Sequence, residues 1–115
     1  MNFLITTTPT IAGHRIVRIC GLVSGLTART RGMGGQFIGG LQSMVGGEVT
    51  AFTSEILKAR DESINRAIDQ ANSMGANAII GLDIETANLY QSIVLISATG
   101  TAVVVEPEAP APPSP

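Results

Sequence analysis

One amphipathic stretch limits the folds open to this chain more than any other feature. Between Thr50 and Met74, the residues Phe52, Ile56, Ala59, Ile64, Ala67, Ala71 and Met74 recur near one face at helical spacing. Glu55, Lys58, Glu62, Asn65, Arg66 and Asp69 fall mainly on the other side. Glu62 and Arg66 form an i,i+4 pair in the favourable order, and Gly75 suits a left-handed C-terminal residue. As one helix this stretch extends roughly 37 Å at 1.5 Å per residue, long for a chain of 115 residues. Its apolar face needs a sheet to lie against.

The strands to supply that sheet flank the helix. Residues 2–8, NFLITTT, predict a short strand that stops at Pro9, followed by a turn ending at Gly13. Residues 14–25, HRIVRICGLVSG, predict a second. Strict alternation puts Val17, Ile19 and Val23 on one face and Ile16, Arg18, Cys20 and Leu22 on the other. With both faces largely apolar, that strand is expected to be covered on both sides. NAIIGLDIET (77–86) and QSIVLISATGTAVVV (91–105) give two more strands, with ANLY as the hairpin loop between them. The glycine-rich segment 29–47 predicts a short helix over about 36–45, ended by Gly46 and Gly47. The expected fold is α+β: a ββαββ order of two hairpins, an antiparallel sheet packed on one long helix. One domain is expected over 1–105, with a proline-rich disordered tail over 106–115. There is no internal repeat.

Composition excludes several kinds of work. Seven Lys and Arg against nine Asp and Glu give a net charge of −2, without the basic surplus of a nucleic-acid binder. Phe3, Phe37, Phe52 and Tyr90 are the only aromatics and are not interleaved with cations as a stacking platform requires. No apolar run approaches the ~20 residues that span a bilayer, and MNFLITTTPT lacks the features of a secretory signal. A cytoplasmic protein without nucleic-acid or membrane partners is expected. The glycines match neither G-x-x-x-x-G-K-[ST] nor G-x-G-x-x-G in a strand–helix setting. No serine, histidine and aspartate fall into a nucleophile's order.

Two positions remain as candidate ligands. Cys20 is the sole cysteine and His14 the sole histidine. On one straight strand they share a face but lie about 20 Å apart, so one chain cannot close a soft-metal site, which wants four donors. Cys20 reads either as a small buried side chain in a central strand or as a ligand shared by several copies. Asp83 and Glu85 share a strand face, as hard-cation ligands would or as a solvated strand end would. An enzyme with a site between subunits ranks last, because no acid, base and nucleophile converge in sequence; a deep polar cleft holding Asp83, Arg15 or Tyr90 would revive it.

Taken together, TTTPTIAGHRIVRICGLVSG, MVGG, ARDESI, MGANAIIGLDIE and SATGTAVVV resemble the YbjQ-like family, small uncharacterised proteins labelled heavy-metal-binding domains. The likeness covers nearly all of residues 3–105. Cys20 matches the family's C-G-x-V/I block, and Gly81 and Asp83 its G-[IL]-D block. The resemblance implies a dodecin-like α+β architecture and a homopentameric ring joined by strands of neighbouring chains. The expected function is non-enzymatic self-assembly, because edge strands must be paired or covered and ring closure does this with identical interfaces. The alternative is metal or small-ligand binding at subunit contacts through Cys20 and Asp83, with a heavy-metal ion as the implied but unsupported cofactor.

Overall fold

The structure, a computed structural model, describes residues 3–30, 45–90 and 93–109. Its elements are β1 (Leu4–Ile5), β2 (His14–Thr30), α1 (Val45–Ser73), β3 (Ala78–Tyr90) and β4 (Ile93–Pro107). They form one sheet in the order β1-β3-β4-β2 with α1 across one face. The fold is α+β, with the element order expected.

The pairing differs from two hairpins. β3 and β4 are an antiparallel hairpin, but β2 pairs antiparallel with β4, and β1 pairs parallel with β3. The sheet is therefore mixed, and β2 lies at its edge. β1 is also shorter than expected. Past Ile5 the threonines bond locally: Thr8 N–H donates to Thr6 Oγ1 at 3.1 Å, and Thr8 Oγ1 donates to the Thr10 carbonyl. Side chains that satisfy their own backbone compete with a ladder.

The helix starts earlier than its periodicity suggested. Gly46 and Gly47 lie in its first turn rather than closing a shorter helix; the segment 36–44 lies outside the described residues. At the other end Gly75 takes φ 82°, Ala76 N–H bonds the Ala71 carbonyl at 3.0 Å and Gly75 N–H bonds Asn72 at 3.0 Å. That is the Schellman closure expected of glycine there. The Glu62–Arg66 pair forms at 2.6 Å.

Small residues set how closely the helix lies on the sheet. Ala59, Ser63, Ala67 and Ala71 are spaced by four and buried, while Ile56, Ile64 and Ile68 flank them half-buried. The Ser63 hydroxyl is satisfied by the carbonyls of Ala59 (2.9 Å) and Ile96 (3.1 Å). Opposite this row stands Gly25 of β2. Under α1 the core joins Val23, Ile79, Leu82, Ala98 and Ala102, with Val94 and Ile96 further along. A second cluster, Ala78, Val103 and Val105 with Leu4, Ile11 and Ile80, fills the opposite face. The Thr6–Gly13 connection thus contributes Ile11 to that second core.

Both later strands run past their expected ends. All four residues of ANLY (87–90) belong to β3, which ends at Tyr90. Glu106 and Pro107, assigned to the tail, pair with Arg15 and His14, and Glu108 N–H bonds the Gly13 carbonyl at 2.8 Å. The Arg15–Glu106 ion pair at 2.9 Å holds that end.

Candidate functional site

β2 decides where every candidate side chain points. It carries two irregularities in its pairing with β4, between Ile16 and Arg18 and between Ile19 and Gly21. Val17 and Cys20 are the surplus residues, with no partner across the ladder. Each bulge shifts the side-chain alternation by one. Strict alternation therefore fails here. Cys20 packs against the cluster under α1 with Val23, not beside Leu22. The thiol is half-buried on an edge strand, rather than fully buried in a central one.

Ile19, Leu22 and Leu26 instead face away from α1, opposite Val103, Thr101 and Ser97 of β4. They are 69%, 70% and 49% exposed, and Ile16 is 37% exposed. The expectation that both faces of this strand are covered does not hold within one chain. β2 is long, lies at the edge, and shows apolar side chains.

Part of that edge is occupied from within. The Gln70 carboxamide accepts from Ser24 N–H (2.9 Å) and donates to Ser24 C=O (2.7 Å), taking the place of a neighbouring strand's rung. Arg66 donates to the Leu26 carbonyl. Arg66 is held by Glu62, which also takes Arg29 of β2 at 2.7 Å. The hydrogen bond from Arg29, with the charges of Arg29 and Arg66, holds the Glu62 carboxyl below its ordinary pKa, against a smaller opposing push from burial. Glu55 joins Arg29 at 3.6 Å and Lys58 at 3.7 Å. This network ties the helix to the far half of β2.

The other candidates do not converge. His14 turns its ring back to the Ala12 carbonyl at 3.1 Å. Asp83 and Glu85 are exposed on the face away from α1, opposite Thr99 and Ser97 of β4. Cys20 and Asp83 thus lie on opposite faces of the sheet. Among the described residues no three His, Cys, Asp or Glu side chains gather as a metal site would require. Arg15 is engaged by Glu106, and the Tyr90 side chain lies outside the described set. Sequence reasoning paired Arg66 with Glu62 but missed the contacts of Gln70 and Arg66 with β2. Their only signal was position: polar residues four apart, at the border of the helix's apolar face.

The same α+β architecture occurs in a solved protein of unknown function from Pediococcus pentosaceus, assigned to the DUF74 family. It superimposes with a TM-score of 0.60 over 90% of this chain and 98% of that one at 16% identity, a likeness of fold alone. The sequence decides the family. The YbjQ family model, described as "Putative heavy-metal-binding", matches residues 3–106. The chain belongs to the YbjQ family. Similar relatives include UPF0145 proteins from Picrophilus torridus, 40% identical over 92% of this chain and 90% of that protein, and from Bradyrhizobium, 41% identical over 92% and 96%. A third, from Saccharolobus islandicus, is 43% identical over 90% of this chain and 91% of that protein. UPF0145 proteins are uncharacterised. The heavy-metal description of the YbjQ family has no matching donor set among the described residues of this chain, where the one thiol and the two β3 carboxylates are on different faces. Among the described residues no helix is long and apolar enough to cross a membrane.

Proposed function

We propose that this YbjQ-family chain is a non-enzymatic, self-assembling cytoplasmic module that forms a closed ring, a homopentamer, with copies of itself. The observation that carries the reading is the β2 edge, where Ile16, Ile19 and Leu22 are exposed on a strand that has no outer neighbour among the described strands. Native proteins blunt or cover such edges, and identical closing contacts cover all of them at once. Native mass spectrometry and sedimentation at micromolar concentration test it. A single species several-fold heavier than 11.9 kDa is the expected result; a clean monomer rejects the reading.

The family description favours one second reading, a metal or small-ligand site between subunits that uses Cys20. A half-buried thiol on a bulge can meet copies of itself only where several chains come together. Titration of the assembled protein with cadmium or copper(I), followed by thiolate-to-metal charge-transfer absorption, decides between them. If Cys20 is a ligand, Cys20→Ser abolishes that absorption and weakens binding at least tenfold; unchanged binding removes Cys20 from any site.

A further inference from the structure

α1 covers one face of the sheet, and the reverse face is bare over its far half. On the α1 side Val23, Gly25 and Thr27 of β2 and Ile96 and Ala98 of β4 are buried. On the reverse the ladder sets side chains in rows across β2, β4 and β3. Leu22, Thr101 and Ile80 form one row, and Ser24, Thr99 and Asp83 the next. Leu26, Ser97 and Glu85 follow, then Ala28, Leu95 and Ala87. None of these side chains is buried. The second core cluster meets this face only at the near end, around Val103 and Ile80.

The bare area has the dimensions of one short helix. From Leu22 to Ala28 a strand advances roughly 20 Å, and three strands span about 10 Å. An α-helix is about 10–12 Å across, and 20 Å holds about 13 of its residues. A helix also brings its backbone groups already paired, whereas an irregular segment laid on side chains would bury N–H and C=O groups without partners.

The face is graded from one margin to the other. Its β2 margin is apolar, with Leu22 70% and Leu26 49% exposed. Its middle carries hydroxyls, and those of Ser24 and Thr99 bond each other at 3.1 Å, so covering them leaves no orphaned donor between them. Its β3 margin is acidic, with Asp83 and Glu85 exposed. Among the described residues no cation answers this acidic margin. Arg15 is taken by Glu106 and Arg29 by Glu62, while Arg18 lies on the α1 side against Gly75. The other described lysine and arginines belong to α1, across the sheet.

We infer that this face docks a basic amphipathic helix of a partner protein. The helix lies along the strands, sets its apolar side chains on Leu22 and Leu26, and turns lysines or arginines to Asp83 and Glu85. Laying an amphipathic helix on an apolar surface is a recurrent mode of recognition, and the acidic margin fixes which way round the helix sits. The α1 of a second copy does not match. Among its described residues one large apolar side chain, Leu57, is exposed, and the neighbouring Lys58 and Arg60 are paired with Glu55 and Asp61. The docking surface goes beyond the self-assembly reading and does not depend on it, because an edge contact uses backbone groups while these side chains stand on the face.

A short fluorescein-labelled leucine–lysine helical peptide tests this, with its leucine–glutamate counterpart as the comparison. Fluorescence anisotropy with the full chain is expected to show saturable binding of one leucine–lysine peptide per chain, weakening as salt is raised. The leucine–glutamate peptide is expected to bind about tenfold more weakly, because its carboxylates meet Asp83 and Glu85. Asp83→Asn/Glu85→Gln is expected to weaken the leucine–lysine peptide about fivefold, the range of two exposed ion pairs. Leu26→Ser is expected to weaken it by about the same factor through lost apolar contact. Asp61→Asn/Asp69→Asn removes equal charge from α1 and is expected to leave binding unchanged. Circular dichroism confirms folding, and Leu22→Ser replaces Leu26→Ser if that variant fails it. Equal weakening by the two charge-removing pairs shows attraction to net charge alone and overturns the proposal. Absence of binding also overturns it, as when another part of this chain or a second copy already covers the face. Neither outcome touches self-assembly, which is read from the oligomeric mass.

Discussion

Gly25→Ala is expected to remove at least ~3 kcal/mol of stability, from a total that for such domains is roughly 5–15 kcal/mol. The cause is space. A Cβ on Gly25 would overlap the Ser63 carbonyl and stand 2.8 Å from the Ala67 nitrogen. Both are backbone atoms of α1 and cannot rotate away. The helix has to lift from the sheet, and the buried row Ala59, Ser63, Ala67 and Ala71 lifts with it. Overpacking against movable side chains costs about 1–3 kcal/mol; backbone in the way places this substitution at or above that range. Urea unfolding measures it as a fall in the midpoint. A variant within about 0.5 kcal/mol of the parent, the range of an ordinary surface substitution, would show that α1 does not approach β2 this closely.

The second large effect is at Ile79, fully buried at the centre of the core under α1. Ile79→Ala is expected to cost about 2–5 kcal/mol through lost burial and the cavity left behind. Its neighbour makes the prediction sharper. A Cβ on Gly100 would come within 2.6 Å of Ile79 Cγ2 and 3.1 Å of the Ile80 carbonyl. Gly100→Ala alone is thus destabilising. In the double variant Ile79→Ala/Gly100→Ala the added methyl meets no Cγ2, so the two losses add to less than their sum. A double-mutant cycle reads the coupling directly. Strict additivity would mean that these two side chains do not share the space the structure gives them.

The sequence showed the periodic elements and not their partners. Apolar spacing found α1 and its glycine stop, an apolar run found β3, and a long, almost uncharged run found β4. Which strands pair is a property of the assembled sheet. β1 and β2 adjoin in sequence with a turn between them and read as a hairpin, yet the threonines after Ile5 satisfy their own backbone and the chain crosses to the far edge. The early helix start was hidden because Gly46 and Gly47 are poor helix formers. The faces of β2 were misread at the bulges, since alternation assumes one residue per rung. That error moved Cys20 to the wrong face. Proline marked the tail, but strand pairing carries through Pro107, whose nitrogen, like that of Val105, turns to the β3 side, past the last β3 rung at Val103, so that no ladder bond is lost. Asp83 and Glu85 were correctly placed on one shared, exposed face. Arg66 was legible as the partner of Glu62; nothing in the spacing of Gln70 and Arg66 announced that they would stand in for a strand.

The bulge at Cys20 separates the thiol from the scaffold. A residue with no rung of its own can be exchanged for another side chain while every hydrogen-bonded neighbour keeps its station, whereas its deletion would turn the strand beyond it over to the other face. Chemistry placed there, whether a soft ligand or an inert filler, is interchangeable on an unchanged frame. Related chains could gain or discard a sulfur at this point and still build the same sheet.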